Sequence, residues 1–246
     1  MQVLSSALLF SLSLGCVGVS TAATRASVPC ESRDLGFDRK EVGWAPVPFS
    51  KLKRDTVYAL VPGGDRRGVL RASADKAVSL YVARLKTAIR PPMTLSWSWK
   101  TDALIPGADN RDKSREDAPL RVLVAFDGDP ATLPQEEQQR FKRAKRLSGR
   151  ELPYAVLMYI WTDLVPVGSV IPSAHTSQVK MLAVASGPNG IGAWQSVQRN
   201  LADDYRRAYG TEPGAVTGIA VMTDTDNTGT TAVGEYADVR VACEGK

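Results

Sequence analysis

Four oxygen-bearing side chains near the carboxyl-terminal end have a spacing that suits a hard cation. Asp224, Asp226 and Thr228 alternate, Gly229 follows, and Glu235 stands where a calcium loop of the EF-hand kind places its closing glutamate. The flanking runs, Val216 to Met222 and Tyr236 to Val241, read as strands, so a true EF-hand is excluded. As a hairpin the loop would gather Asp224, Asp226 and Asn227 at one strand end. The plainer alternative is a turn in which Asp and Asn side chains bond their own backbone. No cofactor is expected, and calcium is the hard cation considered for this loop.

A second set could line a polar cleft. Arg121 stands between Leu120 and Val122, and Lys180 between Val179 and Met181. A cation inside an apolar strand must find a carboxylate or a polar cleft, because burial without a partner is prohibitive. The most polar loop, Ile105 to Pro119, brings Asp109, Asn110, Glu116 and Asp117 close in sequence to Arg121. The candidate ligand set is therefore Asp109, Asn110, Asp117, Arg121 and Lys180, joined by Trp194, which stands in a loop-like setting beside Gly192. The alternative for Arg121 is a structural ion pair with Asp117 or Glu116. Trp97, Trp99 and Trp161 could stack on sugar rings, but they share strand faces with Leu95, Leu157 and Tyr159 and read as core.

Catalytic signatures are missing. Glycoside hydrolysis needs two carboxylates at a set separation, and Asp109, Asp117, Asp224 and Asp226 are the candidates, but spacing along a chain does not measure that distance. There is no Gly-x-Ser-x-Gly elbow, no phosphate loop and no His-Glu-x-x-His helix. The single histidine, His175, reads as a turn residue.

The elements that would position these groups are mostly strands. Val57 to Val61, Val69 to Ala72, Val78 to Val82, Thr94 to Trp99, Leu120 to Phe126, Tyr154 to Trp161, Val179 to Ala185, Val216 to Met222 and Tyr236 to Val241 are short β-branched or aromatic runs broken by Gly and Pro. In the fourth run Leu95, Trp97 and Trp99 point one way and Thr94, Ser96, Ser98 and Lys100 the other. Two segments read as helices. Thr132 and Gln135 form a capping box for a helix from Gln135 to about Leu147, whose apolar stripe holds Phe141 and Ala144 and whose other faces carry Arg140, Lys142, Arg143, Lys145 and Arg146. The second is capped by Asn200, runs from Leu201 to Tyr209 and is closed by Gly210. The fold class is all-β: an antiparallel β-sandwich, jelly-roll-like, with two short peripheral helices.

Val3 to Val19 is an apolar run with small residues after it, the order of a secretory signal, so residues 1–23 read as a signal peptide and 24–246 as one β-sandwich domain. Cys16, preceded by Leu14 and Gly15, offers lipoprotein processing as the alternative. Export leaves Cys30 and Cys243, one near each end, which predicts a single disulfide in an oxidising compartment, the periplasm or the medium. No later run is long enough for a transmembrane span. The net charge of +5 points an exported protein toward acidic glycans and envelope polyanions rather than nucleic acid.

Several strings resemble a known family. Leu95-Ser-Trp-Ser-Trp99, Gly107-Ala-Asp-Asn-Arg111, Val167-Gly-Ser-Val-Ile-Pro172 and the run from Thr217 to Gly229 are similar to the bacterial family called domain of unknown function 3047, over roughly Gly36 to Val241. That resemblance implies an address and a shape but no reaction. The strand pattern also resembles the jelly rolls of carbohydrate-binding and galactose-binding-like domains, a likeness of fold, which does not license function. Three functions stay open: a noncatalytic module for a glycan or another polar envelope ligand, a carboxylate-dependent enzyme acting on envelope polysaccharide, and a protein-interaction module docking through the basic helix.

Overall fold

The computed structural model describes residues 27–28, 30–149 and 151–243. The leader and Cys16 lie outside them. The strands are β1 (Ser27–Val28), β2 (Arg33–Asp34), β3 (Ala45–Pro48), β4 (Val57–Gly63), β5 (Arg66–Asp75), β6 (Ser79–Ile89), β7 (Met93–Thr101) and β8 (Ala118–Phe126). Helix α1 (Gln135–Ser148) follows, then β9 (Ala155–Thr162), β10 (Val170–Pro172), β11 (Val179–Ser186), β12 (Gln195–Asn200), α2 (Leu201–Tyr209), β13 (Val216–Asp224) and β14 (Thr231–Cys243).

These strands make two sheets packed face to face. The first runs β1-β6-β13-β8-β9-β11-β10 with β3 also on β6, and the second β12-β7-β14-β5-β4 with β2 on β14. Pairing is antiparallel except for β1 on β6 and β11 on β9. The fold is an antiparallel β-sandwich of jelly-roll type with two helices.

Strand alternation builds the interior. Leu95, Trp97 and Trp99 enter from the second sheet, and Leu120, Val122, Val124, Leu157, Tyr159 and Trp161 from the first. Trp97 packs 5.4 Å from Trp99 and 5.1 Å from Tyr159, ring centre to ring centre. The three tryptophans are core, as their strand neighbours predict, and each brings a large apolar area to it.

Helix α2 closes one end of the sandwich. Asn200 accepts from the backbone N–H of Ala202 and Asp203, while Leu201 and Tyr205 enter the core, with Tyr205 4.7 Å from Phe126. Its buried Asp204 accepts from the Tyr159 hydroxyl at 2.9 Å and the Arg199 guanidinium at 2.8 Å. Burial, then the negative charge of Asp204, pushes the Tyr159 hydroxyl well above its ordinary pKa.

Helix α1 forms where expected, but not by a capping box. Its N-cap is Pro134, and the Thr132 hydroxyl donates to the Asp129 carbonyl in a preceding 3-10 turn. Thr132 is drawn into that turn, which Asp129 itself caps through the Ala131 N–H. The helix docks through Glu137, which accepts from the Ser177 N–H and the hydroxyls of Thr176 and Ser177. Burial opposes ionisation of Glu137, but these donors outweigh it and hold its pKa below the usual value. Arg140, Lys142, Arg143, Lys145 and Arg146 are exposed, a solvated face whose Lys145 pairs with Glu151 at 2.8 Å.

The Asp224-to-Gly229 loop is not a hairpin. β13 belongs to the first sheet and β14 to the second, so the loop is an arch from one sheet to the other. The loop between β7 and β8 makes a second such crossing.

Candidate functional site

Register turns the outward face of the second sheet into a map. Glu235 pairs with Arg71 on one side and Lys100 on the other, which sets these three across neighbouring strands in one row. The next row holds Ala237, Ser98 and Ser196, and beyond it Arg240, Ser96 and Gln198. Small side chains thus floor the middle of the face, and charges stand over them.

Two cross-strand networks organise that face. Arg71 donates to Glu235 through Nε at 3.0 Å and Nη2 at 2.7 Å, and the Lys100 ammonium lies 3.3 Å from the other oxygen. In the second, Arg66 of β5 pairs with Asp238 of β14, donates to the Ser98 hydroxyl of β7 at 3.2 Å, and lies 4.7 Å over the ring of Trp194, just ahead of β12. Ser98 and Ser196 share a hydrogen bond of 3.1 Å. One guanidinium therefore ties side chains from four segments together, and its stack on an indole is a cation–π contact. Asp238 sits at a break in the β14 register with φ of 55°, a bulge that re-aims its side chain. Trp194 is partly exposed, as are Arg66 and Lys100, and Val57 and Val233 are exposed at the margin of the face.

The carboxylates at the arch end form a different arrangement. Oxygens of Asp117, Asp224 and Asp226 lie within 4.8 Å of one another. Each has a protein donor. Asp117 accepts from the N–H of Asn227 at 3.2 Å and of Thr228 at 2.7 Å, and from the Thr228 hydroxyl. Asp224 accepts from Arg121 Nε at 2.8 Å and the Ala118 N–H at 3.1 Å, and Asp226 pairs with Lys53. The Asp117 contacts lace the β7–β8 loop to the arch, while Asp224 is held from β8 and Asp226 from the β3–β4 connection. Glu235 is not part of the group, because it belongs to the Arg71 and Lys100 row.

Burial pushes the Asp224 carboxyl up to about 7, against the pull of Arg121 and with the help of Asp117. Between about pH 4 and about pH 7 the native state then holds a proton that the unfolded chain has released, so this group's contribution to stability falls as pH rises. The difference in urea midpoint between wild type and Asp224→Asn should change across that window. A constant difference would refute the assignment.

The structure does not bring the sequence-derived ligand set together. Asp109 is paired with Arg111 at 2.8 Å, whose hydrogen bonds hold its pKa below the usual carboxylate value. Asn110 is buried and donates to the carbonyls of Glu116 and Asp117, bracing its own loop. Arg121 is buried on the outward side of the first sheet, with Nη1 3.0 Å from the Met158 sulfur and 3.6 Å from the Met181 sulfur. Lys180 is the neighbour of Met181 and pairs with Leu157, a core residue, so alternation sets it on the opposite side of the sheet from Arg121. The cleft drawn between Arg121 and Lys180 is therefore not assembled. Trp194 alone of that set reaches the open face. Arg66, Arg71 and Asp238 escaped the sequence reading; the polar side of the Thr94-to-Lys100 alternation was their one visible trace.

A family model described as "Protein of unknown function (DUF3047)" matches residues 42–240. The chain belongs to that family. The family description names no activity, and no curated protein matches the chain in sequence. Among solved structures, the family 11 carbohydrate-binding module of the Clostridium thermocellum cellulase Lic26A-Cel5E aligns at TM-score 0.43 and 9% identity, covering 87% of this DUF3047 chain and 97% of that one. The cellulose induced protein Cip1 aligns at 0.43 and 10%, with coverage of 87% and 97%. The xyloglucanase domain of NopAA from Sinorhizobium fredii, solved with cellobiose, aligns at 0.42 and 10%, covering 82% and 93%. The likeness is of fold alone.

Proposed function

We propose that this protein is an exported, noncatalytic module that binds a glycan of the cell envelope along the open face of its second sheet. The observation that carries this reading is the Arg66 network, which holds Trp194 beside Asp238 and Ser98 on a face floored by small side chains. Ser98 and Ala237 are buried beneath that network, so a ligand would lie on the charged and aromatic side chains above them. The fixed carboxylates, guanidinia and hydroxyls supply both donors and acceptors for sugar hydroxyls, and an indole face supports the apolar side of a pyranose. Ligands of this kind are held by a few placed polar groups around an aromatic contact.

The carboxylates that could serve acid–base chemistry are engaged elsewhere. Asp117, Asp224 and Asp226 at the arch end are each held by a protein donor, and that favours binding over turnover. The Cys30–Cys243 disulfide supports an oxidising compartment. Among the described residues no helix is long and apolar enough to cross a membrane.

Titration against an array of purified envelope glycans tests the reading. A bound glycan should lose at least about tenfold in affinity with Trp194→Ala, an ordinary effect for truncating an aromatic anchor, while the melting temperature stays near wild type. An array without a single binder, or binding indifferent to Trp194, overturns the site. Glycan turnover abolished by a single carboxylate substitution would replace the noncatalytic reading with the enzymatic one.

A further inference from the structure

We infer that this face selects acidic glycans, with Arg71 and Lys100 as the seat of a sugar carboxylate; the inference deepens the glycan-binding reading and rests on it. Arg71, Glu235 and Lys100 lie in one register row of β5, β14 and β7. Their depths differ. The Glu235 side chain is 10% exposed, against 51% for Arg71 and 26% for Lys100. The one acid of the row is sunk between two bases that reach past it, so solvent meets the cations. One carboxylate against two cations also leaves a positive charge uncompensated.

The donors have capacity left. Arg71 turns Nε and Nη2 toward the same Glu235 oxygen, which leaves Nη1 outside that contact. The Lys100 ammonium carries three N–H groups and meets Glu235 at 3.3 Å. A guanidinium edge beside an ammonium matches the two oxygens of a carboxylate, and charge-assisted contacts of this kind are stronger and shorter than neutral ones. Trp194 lies at the same end of the face: it directly precedes Gln195, and Gln195 pairs with Trp99, the neighbour of Lys100. A ring stacked near Trp194 would thus carry its substituents toward Lys100. The exposed Arg240 adds the same sign of charge farther along.

The test uses two matched pairs of probes. One is an oligogalacturonate and the same oligomer carboxyl-reduced to neutral galactan. The other is a cello-oligosaccharide and its C6-oxidised glucuronan counterpart. Calorimetric titration should find the acidic member of at least one pair bound about tenfold or more tightly than its neutral twin, a preference that shrinks as salt rises. Arg71→Met and Lys100→Met should each erode that preference without lowering the melting temperature much, and Arg71→Lys should restore part of it. Because the two variants sit on different strands, misfolding of one leaves the other to decide. Equal binding of both members in a Trp194-dependent manner overturns the acidic selectivity and leaves the glycan-binding reading standing. If neither member of either pair binds while other array glycans do, the selectivity again falls alone. A blank array removes both.

Discussion

Above about pH 7, where the Asp224 carboxyl is ionised beside Arg121, replacing Arg121 by Met should lower the unfolding free energy by about 3–5 kcal/mol, the range for stranding one partner of a buried ion pair. Arg121 is among the largest fully buried side chains of the protein, and its Nε donates to Asp224 at 2.8 Å. Its remaining nitrogens reach the Glu116 carbonyl and the sulfurs of Met158 and Met181. Met fills much of the stem's volume against those two methionines, so the cost is electrostatic more than steric. Asp224 is left at 3% exposure beside Asp117, with only the Ala118 N–H to hold it. The second substitution, Asp224→Asn, removes the stranded charge and keeps an oxygen for Ala118. The double variant should therefore recover a large part of the loss, and a double-mutant cycle from urea unfolding measures the coupling. Additive losses would show that the pair contributes little and that Arg121 acts by packing.

Much of this fold was legible because its inward faces are apolar and period two. Leu120 to Phe126 and Thr94 to Trp99 carry their pattern openly, and both lie within observed strands, β8 and β7. Where the pattern is polar, the strand was invisible. β12 reads Gln-Ser-Val-Gln-Arg-Asn and places one apolar side chain on the core; its β-structure comes from pairing with β7, a tertiary fact. β6 extends to Ile89, well past Val82: Ala83 and Leu85 are buried and Arg84 and Lys86 exposed, an alternation that continues the strand beyond its β-branched run. β3 is Ala-Pro-Val-Pro, and proline forbids a central strand but not an edge.

The site was less legible for a related reason. Sequence reading looks for charges near one another along the chain, whereas this face is assembled across it. Arg66 and Asp238 are separated by 172 residues, and Arg71 and Glu235 by 164. The spacing of Glu235 from Asp224 suits a calcium loop. The arch carries β14 into the other sheet, and there Arg71 and Lys100 claim it. Arg121 could be recognised as a cation needing a carboxylate, and it has one. The partner is Asp224, 103 residues away in sequence, rather than Asp117 or Glu116 close by. Local spacing identified the need, and only topology could name the partner.

Removing the disulfide, by Cys30→Ser together with Cys243→Ser, should cost about 2–5 kcal/mol. The cross-link joins residues separated by 213 positions, and in the chain-entropy model a loop that long restrains the unfolded chain by about 5 kcal/mol. The native side of the balance has a local part. β1 and β2 are two residues each, one on the first sheet and the other on the second, and the Cys243 N–H donates to the Ser32 hydroxyl at 3.1 Å. Such short strands contribute little pairing of their own, so the covalent tie keeps them seated across the sandwich. Loss of the bond should therefore have two signatures: a lower denaturant midpoint for the whole protein, and faster amide exchange from β1 and β2 than from β7 or β13. Cys30 packs against the margin of the buried cluster between the sheets and is not among its buried members, so the variant should still fold. An unchanged midpoint in oxidised and reduced wild type alike would show that packing alone holds the amino-terminal segment, and the predicted cost would be wrong.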